Sequence, residues 1–277
     1  VIVFPGTNRE RDVADVLAAV SGKPTRMVWH GETTVPPSDL IVLLGGFSYG
    51  DYLRCGAMAA HSPIMRDVIA KAKAGVPVLG ICNGFQMLCE TGLLPGVLQR
   101  NASLKFICKD VWLKVESTVT LYTGRYKKGE IAQMICAHGD GNYFADKETL
   151  DRLEGDGRVV FRYADKHGNV SAATNTNGAQ RNIAGIADST GRILGLMPHP
   201  ENAAEAALGK SPGEKVVYDL RASYAVKDTV ARFGGDEFAV LLPGLRSDET
   251  ARVGKKLLEA MRQPFLVAGR DLRVSAS

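Results

Sequence analysis

The chain has 277 residues, 45% of them apolar and 23% charged, with a net charge of +4. That is enough to bury one large α/β domain, or one domain with a smaller appendage. The positive charge is not gathered into a basic face, which argues against nucleic-acid binding. No uncharged apolar stretch approaches the ~20 residues of a membrane span, and nothing resembles a signal peptide, so no membrane association and a cytoplasmic location are expected.

In chain order, strand-like runs alternate with helical patterns: "VIVFPG" (1–6), a helix around Asp12 to Val20, "TRMVWH" (25–30) and "DLIVLLGG" (39–46). The opening "VIVF", already strand-like, reads as an excerpt of a longer sequence. Ser62 and Pro63 suit an N-cap and first helical position, and Gly75 suits the stop before the next strand, "VPVLGI" (76–81). Near-continuous apolar strands joined by helices imply a mostly parallel sheet covered by helices, with sites at the carboxyl ends of its strands. From about Phe106 the pattern becomes "VWLKVE" (111–116), "TVTLY" (118–122), "QMICAH" (133–138) and "VVFRYAD" (159–165), read as antiparallel strands added to the same domain. "ALGKSPGEK" (207–215) is the nearest thing to a junction.

The chemistry concentrates at strand ends. In "VLGICNGFQML" (78–88), Gly80 and Gly84 flank Cys82 between a strand and a helix. This is the build of a nucleophile elbow with cysteine in place of serine, and a helix N-terminus favours the anionic thiolate. Taken alone, Cys82 reads equally as a small buried residue. The five cysteines are odd in number and lack CxxC spacing, which argues against a disulfide framework and a zinc ribbon; Cys55, Cys89, Cys108 and Cys136 read as packing, and no metal site is expected. In "GLMPHPE" (195–201), Pro198 and Pro200 favour extended backbone, so that His199 and Glu201 project to one side as a base with its orienting carboxylate. The alternative is an exposed proline-rich turn. Gly45, Gly46 and Phe47 follow a strand at the same edge, where their backbone N–H groups, with that of Asn83, could receive an oxyanion.

"VFPGTN", "LLGGFSYGDYLRCGAMAAHSPIM", "VLGICNGFQMLCETGLLPG", "AHGDGNYFAD" and "GLMPHPE" occur in this order between residue 1 and about residue 208. Together they resemble the glutamine amidotransferase subunits of phosphoribosylformylglycinamidine synthases, class I (triad) amidotransferases with a flavodoxin-like sheet. The resemblance implies Cys82 as nucleophile, His199 and Glu201 as the rest of the triad, the Gly46–Phe47 region and Asn83 as oxyanion donors, and Gln86 and His138 near the bound glutamine. It also implies that ammonia passes to a larger ATP- and Mg-dependent synthetase subunit, often bridged by a small accessory subunit, with no cofactor in this one. Where the family's pattern has a cysteine after "PGSN", this chain has Arg9, read as peripheral to the chemistry.

The tail, "DTVARFGGDEFAVLLPGL" (228–245) with an amphipathic stretch after it, resembles the second half of a GGDEF (diguanylate cyclase) domain. Gly234 and Gly235 suit a hairpin turn, and Asp236 and Glu237 suit metal work. The upstream half of that domain finds no counterpart between Glu201 and Asp228, and the match ends at "RVSAS". The expectation is therefore an amidotransferase domain over 1–223 and a truncated α+β GGDEF-like fragment over 224–277. The competing function, a cyclic-di-GMP-related cyclase or binding module, is read as inactive because half of its domain finds no match.

Overall fold

The computed structural model describes residues 1–3, 7, 9–46, 49 and 54–203, together with four strands at 229–234, 237–241, 265–267 and 270–272. The chain divides into two compact units, Val1–Tyr224 and Ala225–Ser277. The first unit holds β1 (Ile2–Val3), α1 (Glu10–Ser21), β2 (Met27–Val28), β3 (Ile41–Leu43), α2 (Cys55–Ala60), α3 (Met65–Lys73), β4 (Val78–Ile81) and α4 (Asn83–Glu90). It continues with β5 (Val97–Gln99), β6 (Ile107–Val115), β7 (Ile131–His138), β8 (Asn142–Phe144), α5 (Lys147–Gly155), β9 (Val159–Ala164), β10 (Ile183–Ala187) and β11 (Ile193–Leu196).

Nine of these strands form one sheet in the order β2-β1-β3-β4-β11-β10-β9-β6-β7. The first five run parallel, and from β10 onward every pairing is antiparallel. Burial explains the parallel half: Ile2, Val3, Ile41, Val42, Leu43, Val78, Leu79, Ile81, Leu194 and Leu196 are each at most 1% exposed. Each such side chain contributes about 1.5–3 kcal/mol relative to exposure, which is why these strands read as unbroken apolar runs. In β7, by contrast, buried Ala132, Met134, Cys136 and His138 alternate with half-buried neighbours. The helix α1 buries Val13, Ala14, Val16 and Leu17, one helical face, and ends at Gly22, whose φ of +63° suits glycine.

Two local readings need correction. The run "TVTLY" is not a strand: Thr120 Oγ1 bonds Thr123 Oγ1 at 2.7 Å and accepts the Tyr122 N–H at 3.2 Å, so the threonines close a turn. The helix expected to start at Ser62 and Pro63 starts at Met65, because the Ser62 carbonyl accepts the Met65 N–H in a preceding turn and its hydroxyl bonds Tyr49. Gly75 does end it, at φ +95°. Residues 4–6 of the "VIVFPG" run lie outside the described residues.

The second unit contains two antiparallel pairs, β12 (Thr229–Gly234) with β13 (Glu237–Leu241), and β14 (Phe265–Val267) with β15 (Arg270–Leu272). Gly234 pairs with Glu237 across the first; Gly235 and Asp236 lie outside the described residues. Among the described residues no helix is long and apolar enough to cross a membrane.

Candidate active site

The strand β4 passes into α4 through Cys82, whose φ of +51° and ψ of −103° are rare for a residue with a side chain. Two close approaches hold it there. A Cβ on Gly80 would lie 2.7 Å from the Gly84 carbonyl oxygen, and one on Gly84 only 2.1 Å from that of Leu43. Glycine lets α4 sit directly on β3 and β4, and the chain turns sharply at the residue between. Cys82 is 5% exposed, its N–H donates to Leu196 O at 2.8 Å, and its thiol lies 3.7 Å from Ala137 O.

The neighbouring strand β11 delivers His199, the expected base. β11 runs parallel to β4 with Leu196 opposite Ile81, so the chain beyond Leu196 emerges beside Cys82. His199 is fixed by its own N–H to Ile135 O at 2.8 Å, and its Nδ1 bonds Glu201 Oε1 at 2.6 Å. The paired prolines achieve the expected geometry. Gly45 sits against both partners, since a Cβ there would lie 2.7 Å from His199 Cε1 and 3.2 Å from Cys82 Cβ. His199 Nε2 and Glu201 Oε2 are buried without a hydrogen-bond partner. Burial works against a charged His199, but the Glu201 carboxylate and Cys82 outweigh it and raise the imidazole well above its usual range. Burial likewise opposes a charged Glu201, and His199 and then Arg9 overcome it and lower the carboxyl. Both shifts favour an imidazolium beside a carboxylate.

The other expected residues gather around the same strand ends with different commitments. Asn83 Nδ2 donates to Gln86 Oε1 at 2.6 Å, and Gln86 Nε2 donates to Asp140 O at 2.8 Å, so Gln86 ties α4 to the loop after β7. Asn83 Oδ1 is buried without a partner. His138, 3% exposed, bonds Asn101 Oδ1 through Nδ1 at 3.1 Å and leaves Nε2 unpartnered. Burial, aided by the charge of His199, pushes His138 down to about 3. It is a neutral imidazole whose Nε2 is an acceptor. Gly46 has φ +102°, whereas Phe47 lies outside the described residues.

Several contributors escape a reading by motif. Asn101 accepts the Gly141 N–H at 3.0 Å as well as bonding His138, and it stands in no recognisable pattern. Cys55, read as packing, is a polar contact: its sulfur lies 2.9 Å from Asn83 Nδ2 and 3.3 Å from Gln86 Oε1. Cys108 is exposed on β6, so it is not packing either, while Cys89 and Cys136 are buried as expected. Burial pushes the Cys136 thiol up to about 12. Arg9, read as peripheral, bonds Asn202 Oδ1 at 3.3 Å, next to Glu201.

Residues 1–216 match the family model of CobB/CobQ-like glutamine amidotransferase domains, and residues 207–277 match that of diguanylate cyclase GGDEF domains. The chain is 57% identical over 214 residues to the phosphoribosylformylglycinamidine synthase subunit PurQ of Rhodopseudomonas palustris (strain BisB18), covering 77% of this chain and 92% of that one. It is 56% identical to the PurQ subunit of Bradyrhizobium diazoefficiens over the same shares. Among solved structures, a chain of PurLQS from Thermotoga maritima aligns with a TM-score of 0.67 at 40% identity, covering 78% of this chain and 93% of that chain.

Proposed function

The chain belongs to the family of CobB/CobQ-like glutamine amidotransferase domains, and on that premise we propose that it is the glutaminase subunit of a phosphoribosylformylglycinamidine synthase in purine biosynthesis. The observation that carries the catalytic part is the buried Cys82, His199 and Glu201 set at the ends of two adjacent parallel strands. The Cys82 thiolate attacks the carboxamide carbon of glutamine. The oxyanion forms against backbone N–H groups near Gly46 and Asn83. The His199 imidazolium protonates the departing nitrogen, ammonia leaves, and a thioester remains on Cys82. Neutral His199 then takes a proton from water, whose oxygen attacks the thioester; glutamate departs and the thiolate re-forms. Glu201 orients the ring and stabilises its charged form. His138 and Gln86 border the glutamine, the first with its Nε2 acceptor and the second by holding the loop after β7.

Ammonia is the useful product. It passes to a synthetase subunit that uses ATP and Mg to make formylglycinamidine ribonucleotide, with a small accessory subunit in the assembly. This subunit works in the cytoplasm with no cofactor of its own. The decisive experiment measures glutamate release by wild type and Cys82→Ala, each with and without a synthetase subunit. Glutamine-dependent amidine formation disappears in the variant while the ammonia-dependent reaction persists; undiminished glutamate release would remove Cys82 from the mechanism.

The match of residues 207–277 to GGDEF domains supports a second, lesser reading, a module that binds or makes a cyclic dinucleotide. Incubation with GTP and magnesium tests it, and we expect no cyclic di-GMP.

A further inference from the structure

Glu201 is 4% exposed, and only one of its oxygens, the one on His199, has a hydrogen-bond partner. A buried carboxylate that is half satisfied is costly to keep ionised unless a second positive charge faces it. Such a charge comes from far away in sequence. Arg9 precedes the first turn of α1, its side chain is 18% exposed, and its Nη1 reaches Asn202 Oδ1 at 3.3 Å and Asp12 Oδ2 at 3.5 Å.

We propose that Arg9 is a positioning residue for the triad, clamping through Asn202 the turn that carries Glu201 and supplying the positive charge that keeps the Glu201 carboxylate ionised beside His199. The inference rests on the triad reading above and adds to it a residue outside the triad. Several other charged groups share the neighbourhood. On the Glu201 side is His199, backed by Cys82 and the neutral His138. On the α1 side, Asp12 shares Arg9 and has its own carboxyl raised, first by burial and in part by Glu201. Glu10, in the same turn of α1, has one oxygen buried without a partner. Arg11, in the same turn, is exposed, so among the described residues Arg9 is the part-buried cation at this end of α1, and its loss removes the charge that acts on Glu201 besides that of His199.

Removing a nearby positive charge makes a carboxylate easier to protonate, so the acid limb of activity moves to higher pH. The test uses the full chain and three variants: Arg9→Gln, which removes the charge; Arg9→Lys, which keeps it; and Asn202→Ala, which removes the anchor alone. The readouts are the pH dependence of kcat/KM for glutamate release and of Cys82 alkylation by iodoacetamide, followed on the peptide carrying Cys82. Arg9→Gln should raise the acid limb by roughly half a pH unit, a value tempered by partial solvent screening, and lower kcat about fivefold with KM for glutamine unchanged. Arg9→Lys should leave the limb in place, and Asn202→Ala should lower kcat without moving it. An Arg9→Gln profile that superimposes on wild type overturns the proposal. So does an Arg9→Lys limb displaced upward, and this milder variant keeps the test valid if Arg9→Gln folds poorly. Loss of glutamate release in Cys82→Ala beside an unchanged Arg9→Gln removes the role of Arg9 and leaves the triad intact. Retained release in Cys82→Ala removes both.

Discussion

Cys82 occupies a backbone conformation that costs of order 1–3 kcal/mol for a residue with a side chain. Cys82→Gly should therefore be more stable than Cys82→Ala by about 1 kcal/mol in denaturant unfolding, although both lack the thiol. For the base, Glu201→Gln should slow turnover by about 10–100-fold and His199→Ala by at least about a thousandfold, because the first removes orientation and the second the proton carrier; equal rates for wild type and His199→Ala would refute this. His138 adds to acid sensitivity, as does His30, which burial also lowers. The folded pKa of His138, about 3, lies below the ordinary 6.5, so between these values the unfolded chain binds the extra proton and stability falls as pH falls. The slope approaches about 1.4 kcal/mol per pH unit at full effect. Glu201, lowered in the fold, adds loss only below its ordinary 4.5, and His199, raised in the fold, costs stability only as pH rises above 6.5. His138→Asn should consequently flatten the unfolding free energy between pH 6 and 4.5, and an unchanged slope would contradict the neutral assignment. Of these residues, the Pro-His-Pro-Glu frame and the glycine-flanked cysteine were visible in sequence because local backbone chemistry produces them. Asn101, Asn202 and the placement of Arg9 were not, since their partners lie 37 and 193 residues away.

Glycines decide whether the elements can approach one another. Gly84→Ala forces a Cβ to within 2.1 Å of the Leu43 carbonyl oxygen, a backbone clash that no rotamer relieves, and we expect about 3 kcal/mol or more of destabilisation, or no soluble protein. Gly45→Ala meets side chains instead, at 2.7 Å from His199 Cε1. It should unfold close to wild type yet lose about tenfold or more in kcat, because the imidazole yields before the sheet does. Equal losses of stability in the two variants would show that the crowding is misjudged. The same physics separates what was readable at this scale from what was not. The parallel strands announce themselves by continuous burial, and the alternation in β7 by its period of two. "TVTLY" has strand composition, but hydroxyl bonds between Thr120 and Thr123 outcompete a ladder. The first turn of α3 is likewise displaced, because the Ser62 hydroxyl is engaged by Tyr49, a contact no local rule anticipates.

Across the whole molecule, every element of the candidate site falls within the unit Val1–Tyr224. A chain ending at Tyr224 should therefore retain partner-coupled glutaminase activity within about twofold of the full chain, measured as glutamate release in the presence of a synthetase subunit. A large loss would tie the GGDEF-like segment to the amidotransferase chemistry. The two functional strands, β4 and β11, are adjacent at the centre of a nine-stranded sheet whose edges are β2 and β7. Local opening is easiest at edges and termini and hardest where both flanks are paired. Amide protons of Leu79, Ile81, Leu194 and Leu196 should then exchange with deuterium only through global unfolding, whereas those of Met27 and Val28 exchange by fraying. The protein can breathe at its margins while the thiol and the imidazole keep their spacing, so catalysis should fail on heating together with the last cooperative transition of this unit, with no earlier decline.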